Sequence, residues 1–359
     1  MSAVHLIAVE RLQGAMRLVV RGFGSGADEV DAVADNLIEA NLTGHDSHGI
    51  GMLPRYADAY LEGGLRPNAH VRIVHDADTL LRLDGGAGFG QVIGREAIAL
   101  GIERARRSGS CIVALGNAHH LGRIGAWAEQ AAQAGLVSIH FVNVISRCIV
   151  APYAGGDARF GTNPFCAGIP LAGRAPVILD FATSVLAQGK MRVAFNKGEQ
   201  VAPGLLLDDA GRETQEPRYA VVPPFGAIVA FGLHKGSGLA MICELLGGAL
   251  AAGATQHTGD VSRKRVVNGM LSVLIDPAQL GDRAAFEREA IEFIDWFQAS
   301  PPRDGFDRVR IAGDPEREAR AERSLHGVPV DVTTWNEILQ AARKLGVDPA
   351  QVHTAAGLR

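Results

Sequence analysis

The spacing of apolar positions divides the chain into three stretches. Between residues 27 and 42, Val30, Val33, Ala34, Leu37 and Ile38 recur at i, i+3 and i+4, the stripe of an amphipathic helix. Ser25, followed by Asp28, has the form of an N-terminal capping signal, and Gly44 closes the segment. Residues 5–22 and 47–62 also read as helices, the second broken by Gly63, Gly64 and Pro67. From about residue 70 the pattern changes. VRIVHD and TLLRLDG read as an antiparallel strand pair around a turn at 76–78. CIVALGN, LVSIHFVNV, PVILDFA, AIVAFGLH and MLSVLID read as further strands. Helices are predicted between them over 90–108, 122–134 and 236–252. Helical periodicity returns at 283–299, 314–325 and 334–345, the last with a capping-box form, Thr334 to Glu337. The expected fold is mixed α/β (α+β). An α/β domain over residues 71–282 is flanked by a discontinuous all-α domain from residues 1–70 and 283–359.

Composition narrows the function. Apolar residues are 47% and charged residues 21%, so the chain can bury a core. The formal net charge of −4 gives no electrostatic footprint for nucleic acid or an anionic membrane. Cys111, Cys148, Cys166 and Cys243 lie in apolar surroundings with no CxxC pair, which points to buried free thiols in a reducing, cytoplasmic setting. The start lacks the basic segment of a secretory signal. The longest apolar stretch, 238–254, contains Glu244 and is too short for a span, so it reads as a buried helix. With no HExxH and no closed Cys/His set, no metal site is expected. Glycine is in excess, 44 of 359 residues, which suggests tight turns and close approach of backbone to a ligand.

The obvious use of glycines would be a dinucleotide fingerprint, and DGGAGFGQVIG at 84–94 does not supply one. Its third glycine falls one residue late, and the preceding strands read as an antiparallel pair. Four other clusters carry candidate chemistry. TGHDSHG at 43–49 sets His45 and His48 beside Asp46 and Ser47, the makings of a general acid/base near neutral pH. NAHHLGRIG at 117–125 follows a buried strand, with glycines that admit a phosphate and Arg123 to neutralise one. RFGTNP at 159–164, with DFATS at 180–184 and Gly189-Lys190, could hold a carboxylate or ribose. HKG at 234–236 precedes a helix whose positive end favours an anion.

Taken together and in order, TGHDSHGIGMLPRY, ALGNAHHLGRIG, APYAGGDARFGTNPF, LDFATS with GK, and HKGSGLAMICELLGGAL resemble the malate/L-lactate dehydrogenase family that lacks a Rossmann fold, which includes sulfolactate dehydrogenases. The likeness runs through HGVPVDVTTWNEI near the C-terminus. It implies a reversible NAD(P)-dependent reductase of 2-oxo acids, with 71–282 as the cofactor- and substrate-binding domain. NAD is the implied cofactor, with NADP as the variant. The implied proton donor is His48, oriented by Ser47, and Lys190 is counted with the catalytic set. Implied cofactor contacts are His48, His120, Gly122, Arg123, Ile124, Ile178, Leu179, Asp180, Phe181, Ala182, His234, Asn268, Ile311, Ala312, Gly313 and Asp314. Implied substrate contacts are His120, Thr162, Arg55 and Arg159. A small 2-oxo or 2-hydroxy acid is the implied partner, and a homodimer with a shared active site the implied assembly. Two departures stand out. Many members have Arg four residues after the catalytic His, where this chain has Met52, which leaves Arg55, Arg123, Arg147 and Arg159 as candidates to hold the substrate carboxylate. Met52 also adds apolar surface that suits a larger 2-oxo acid. The imine reductases of the family carry Asp where this chain has Lys190, which weighs against an imine reductase on the same scaffold. An inactive nucleotide-binding relative is the remaining alternative.

Overall fold

Two large apolar clusters organise the chain, and the two chain ends meet in one of them. The structure, a computed structural model, describes residues 4–258 and 265–358; residues 1–3 and 359, at the ends of the expected helical domain, and 259–264 lie outside them. The helices are α1 (Val9–Arg21), α2 (Ala27–Leu42), α3 (Leu53–Leu61), α4 (Gly90–Ser108), α5 (Gly125–Gln133), α6 (Gln188–Lys197), α7 (Arg218–Val221), α8 (His234–Cys243), α9 (Pro277–Leu280), α10 (Arg283–Gln298), α11 (Asp314–His326), α12 (Val332–Lys344) and α13 (Pro349–Ala355). The strands are β1 (Val4–Ile7), β2 (Arg72–Ala77), β3 (Leu80–Asp84), β4 (Ser110–His119), β5 (Val137–Ile145), β6 (Val150–Ala151), β7 (Phe165–Ile169), β8 (Val177–Phe181), β9 (Leu206–Leu207), β10 (Glu213–Thr214), β11 (Ala227–Val229), β12 (Val267–Ile275) and β13 (Val328–Asp331).

The fold is mixed α/β. Its main sheet has seven strands in the order β2-β3-β4-β12-β5-β7-β8. Only β3 and β4 run parallel; every other neighbouring pair is antiparallel. The parallel pair needs a crossover, and α4 supplies it, burying Ile93, Ala97, Ile98 and Ala105 against the sheet. The glycine-rich turn before α4 is filled by protein. A Cβ on Gly90 would stand 2.1 Å from the His120 carbonyl oxygen, so this glycine lets α4 close against the end of β4. That packing, together with the antiparallel β2–β3 pair, is why the segment is no dinucleotide fingerprint. A smaller sheet, β10-β9-β11-β6, lies beside the main one in chain order.

The other large cluster gathers α1, α2 and α3 with α12 and α13, around Trp335, Tyr56, Phe23 and Leu37. Its edge is the two-stranded sheet of β1 and β13, in which Val4 pairs with Asp331 and Ile7 with Val328. The helix expected over 5–22 therefore starts only at Val9. Other details of the helix ends also differ from expectation. Gly26, not Ser25, caps α2; the Ser25 hydroxyl instead donates to Glu29 at 2.6 Å. Asp331 caps α12 by accepting from Thr334 N at 2.9 Å, while Glu337 pairs with Arg192. The stretch 238–254 is helical but buried on one side only: Ala240, Cys243 and Ala251 are buried, while Met241, Ile242, Leu245 and Leu250 are exposed along α8 and the π-helical turns Glu244–Leu250. No helix among the described residues is long and apolar enough to cross a membrane.

Candidate active site

After α2 the chain makes two tight 3-10 turns, Asp46–His48 and Ile50–Met52, before α3 begins. Asn41, buried in the last turn of α2, staples this loop from within. Its Nδ2 donates to Asp46 Oδ1 at 2.6 Å, and its Oδ1 accepts from Ile50 N at 2.8 Å. Arg323 of α11 grips Asp46 with two further hydrogen bonds, 2.7 and 3.1 Å. His45 Nε2 lies 3.1 Å from Glu316 Oε1 on the same helix. The loop so fixed presents Ser47 Oγ 3.0 Å from His48 Nδ1.

His120 reaches this point from the end of β4. Leu121 N donates to Asn268 Oδ1 at 2.9 Å, and Asn268 Nδ2 donates to the Asn143 carbonyl at 2.8 Å, so Asn268 of β12 holds the loop that carries His120. The His48 and His120 rings stack, centroids 5.5 Å apart and planes 18° off parallel. Tyr56 of α3 ties the second ring down: its hydroxyl lies 2.7 Å from His120 Nδ1 and accepts from Gln91 Nε2 at 2.9 Å. With Gln91 donating, the Tyr56 hydrogen is directed at His120 Nδ1, which leaves the ring's own hydrogen on Nε2.

Both imidazoles are partly open to solvent yet closely surrounded by protein, as groups on a cleft wall are. Burial first, then the charges of His45 and Arg123, lowers His48 from 6.5 to about 4. Burial first, then His48, His119 and Arg55, holds His120 well below the usual histidine range. Both are therefore neutral at pH 7. Lys190 stands exposed in the first turn of α6, and its neighbour Gly189 abuts Ser47: a Cβ on Gly189 would sit 3.2 Å from the Ser47 Cβ.

A cavity of about 200 Å³ is lined by residues that include Thr43, Arg123, Ile178, Asp180, Gly313 and Glu316, the last of which contacts His45. It brings together three of the segments singled out for the cofactor. Arg123 is buried and pairs with Glu129 at 2.6 Å, but its Nε and Nη1 have no hydrogen-bond partner among the described residues. A buried guanidinium with two unpartnered donors at the lining of a cavity is a positive charge that an anionic group, such as a phosphate, would complement. Asp180 accepts from Gly125 N at 2.7 Å; burial first raises its pKa, against the pull of Arg123 and His45. Gly122 and Gly313 both have positive φ, Ile124 is buried at the start of α5, and Ile178 N donates to the Ala312 carbonyl at 3.3 Å. Asp314 accepts from Ile311 N at 3.0 Å and closes the turn into α11.

Other expected residues lie apart from this cleft. Leu179 and Phe181 alternate to the opposite face of β8 from Ile178 and Asp180; Phe181 packs on Phe165 and Phe231. Ala182 follows them at the strand end, and Thr162 uses its carbonyl to accept from Thr183 N and its hydroxyl, each at 2.9 Å. His234 and Arg159 line a different cavity of about 470 Å³, together with Met241, Glu244 and His257. Arg159 is exposed and paired with Asp157 at 2.7 Å. Arg55 lies one residue from Tyr56, on the His120 side. Met52 is packed in the helical core, 7% exposed, so the apolar surface expected of it toward a substrate is used in packing. Among the described residues no group of three or more His, Cys, Asp or Glu could hold a metal ion. Tyr56 and Gln91 had no role in the sequence reading. The motif TGHDSHGIGMLPRY contains Tyr56, but a tyrosine in a helix reads as core until α4 brings Gln91 to it.

The chain matches the malate/L-lactate dehydrogenase family over residues 7–339. It is 45% identical to hydroxycarboxylate dehydrogenase B of Escherichia coli, over 97% of this chain and 96% of the relative. It is 38% identical to L-lactate dehydrogenase of Cupriavidus necator, over 89% and 92%. The solved structure of sulfolactate dehydrogenase from Methanocaldococcus jannaschii superposes with a TM-score of 0.86 at 29% identity, covering 97% of this chain and 99% of that one.

Proposed function

The chain belongs to the malate/L-lactate dehydrogenase family, a 2-hydroxy acid oxidoreductase family, and from that premise we propose that it is an NAD(P)-dependent dehydrogenase of 2-hydroxycarboxylates. The observation that carries the reading is the stacked His48–His120 pair with Ser47 on His48, and the charge of the buried Arg123, which lines a separate cavity, acts on His48. The Arg123 charge and the positive-φ Gly313, which line that cavity together, fit the phosphates of a dinucleotide. When bound, a nicotinamide dinucleotide supplies the oxidising or reducing equivalent at the carbon that bears the hydroxyl or oxo group.

The chain's own residues handle the proton. A neutral His48 that donates Nδ1–H to Ser47 leaves its Nε2 lone pair free to take the proton of a substrate hydroxyl. In the reverse direction His48 must first be protonated, and it then returns that proton to the oxygen. His120, held by Tyr56 with its hydrogen on Nε2, is placed to donate to the same oxygen and to stabilise charge there. Lys190 joins the site from α6 as a further cation near Ser47. Met241, Ile242, Leu245 and Leu250, exposed on one helical segment, support a homodimeric assembly.

A panel of 2-oxo acids, run with NADH and with NADPH, should show loss of reduced-cofactor absorbance with at least one member. His48→Asn should lower that rate by roughly a hundredfold or more while cofactor fluorescence titration is unchanged. No turnover of any panel member with either cofactor would overturn the reading.

A further inference from the structure

Met52 is buried in the helical core, so the cation that holds the substrate carboxylate must come from elsewhere. Two of the four candidates are already engaged. Arg159 pairs with Asp157 and lines the other cavity, and Arg123 pairs with Glu129 and faces the cofactor cleft. Arg147 is different. It follows β5, and Arg147 Nη2 donates to the Ala220 carbonyl at 3.1 Å. Its guanidinium carbon lies over the Phe225 ring, 3.8 Å from the centroid. These two contacts fix the plane of the fork and leave its other N–H groups without a hydrogen-bond partner among the described residues.

The same carbonyl links Arg147 to the segment that abuts the Ser47–His48 loop. Gln188 Nε2 also donates to Ala220 O, at 3.3 Å, and the next residue is Gly189, whose backbone abuts Ser47. Arg147 is thus one shared acceptor and one residue removed from the Ser47–His48 pair. Arg55, beside Tyr56, likewise makes no ion pair among the described residues. Its charge acts on both His120 and Arg147, and burial and Arg192 press its own pKa below the guanidinium norm. Two like charges that act on each other, with the nearby carboxylate Glu337 already paired with Arg192, are a site that an anion completes.

We infer that Arg147, oriented by Phe225 and Ala220 and assisted by Arg55, is the carboxylate clamp of this active site, in the role for which Met52 is unsuited. This rests on the dehydrogenase reading above, and two readouts separate the two ideas. Wild-type turnover of any 2-oxo acid tests that reading alone. The clamp is tested by comparing a turned-over 2-oxo acid with its neutral amide. Wild type should prefer the acid strongly. Arg147→Met should raise KM for the acid by roughly a hundredfold, change kcat only a few-fold, and remove most of the acid-over-amide preference. Affinity for NADH, read by fluorescence, should not move. Arg147→Lys keeps the charge without the fork and should fall between the two; it decides the matter alone if the Met variant does not fold. Wild-type discrimination retained in both variants would overturn the assignment, as would finding that Arg159→Met rather than Arg147→Met abolishes it.

Discussion

His140 lies in the middle of the main sheet, on β5, with no solvent exposure. Its Nδ1 is 2.8 Å from Ser272 Oγ and its Nε2 is 3.0 Å from Ser138 Oγ. Neither serine carries charge, and burial alone lowers the pKa from 6.5 to about 3. Between those two values the unfolded chain binds a proton at this residue and the folded chain does not. Stability is therefore present above about pH 6.5 and is lost as pH falls, down to the folded pKa near 3. On going from about pH 7.5 to about pH 5 the loss from this residue is about 2 kcal/mol, one and a half pH units at 1.36 kcal/mol each. His119, also buried and lowered to about 3, adds a loss of similar size. Together these are a large part of the roughly 5–15 kcal/mol that holds an ordinary domain. Urea unfolding followed by circular dichroism at the two pH values would measure it. His140→Asn will cost stability at both pH values, and that cost is not the point. The variant should lose about 2 kcal/mol less than wild type between about pH 7.5 and about pH 5. Equal losses in the two proteins, within about 0.5 kcal/mol, would refute the reasoning.

Two further predictions concern the cleft. Because His48 in the free protein sits at about 4, kcat/KM for hydroxy acid oxidation should be flat from about pH 5 to about pH 8, whereas kcat/KM for oxo acid reduction should fall about tenfold per pH unit over the same range. An inflection near 6.5 in either direction would show that His48 is not held neutral. Tyr56→Phe removes the hydroxyl between Gln91 and His120 and should lower kcat by about ten- to a hundredfold with little change in cofactor affinity. Wild-type kcat in that variant would remove Tyr56 from the relay.

Much of this was legible in the chain because some signals are local. α4 spans Gly90–Ser108, as its periodicity predicts, and the central strands β4 and β5 are long apolar runs. Ser47, His48 and His120 announced themselves by residue type in short motifs, and the fold brings them together. What was not legible depends on partners distant in sequence. β1 reads as the start of a helix until β13, more than 300 residues on, offers it a register. β13 itself contains Pro329, and β7 is a short run with Cys166 and Gly168, so neither stands out. α8 reads as buried because its composition is apolar, but nothing within the chain covers Met241, Ile242, Leu245 or Leu250 among the described residues. The arginines were the hardest case. Arg55, Arg123, Arg147 and Arg159 are equivalent in sequence, and only their ion-pair partners, Glu129 and Asp157, tell two of them from the others.

The glycine-rich turn at 84–90 shows how one local signal can serve a different end from the one its composition suggests. Glycines between a strand and a helix are usually valued for admitting a phosphate to backbone N–H groups. Here the space a side chain would take at Gly90 is taken by the carbonyl of His120, and the Gly88 carbonyl oxygen accepts from His119 N at 3.1 Å. The turn is therefore part of the wall that fixes the catalytic loop. Its neighbour Gln91, the next residue, then donates to Tyr56, and Tyr56 orients His120. On the proposed reading the anion falls instead to Arg123, three residues beyond His120, which is buried with two donors unpartnered among the described residues. A chain that spends its glycines on closing α4 against β4 cannot also use them to cradle a pyrophosphate. The two requirements exclude each other at a single position, and that is the physical reason a dehydrogenase on this scaffold needs a cofactor site of another design.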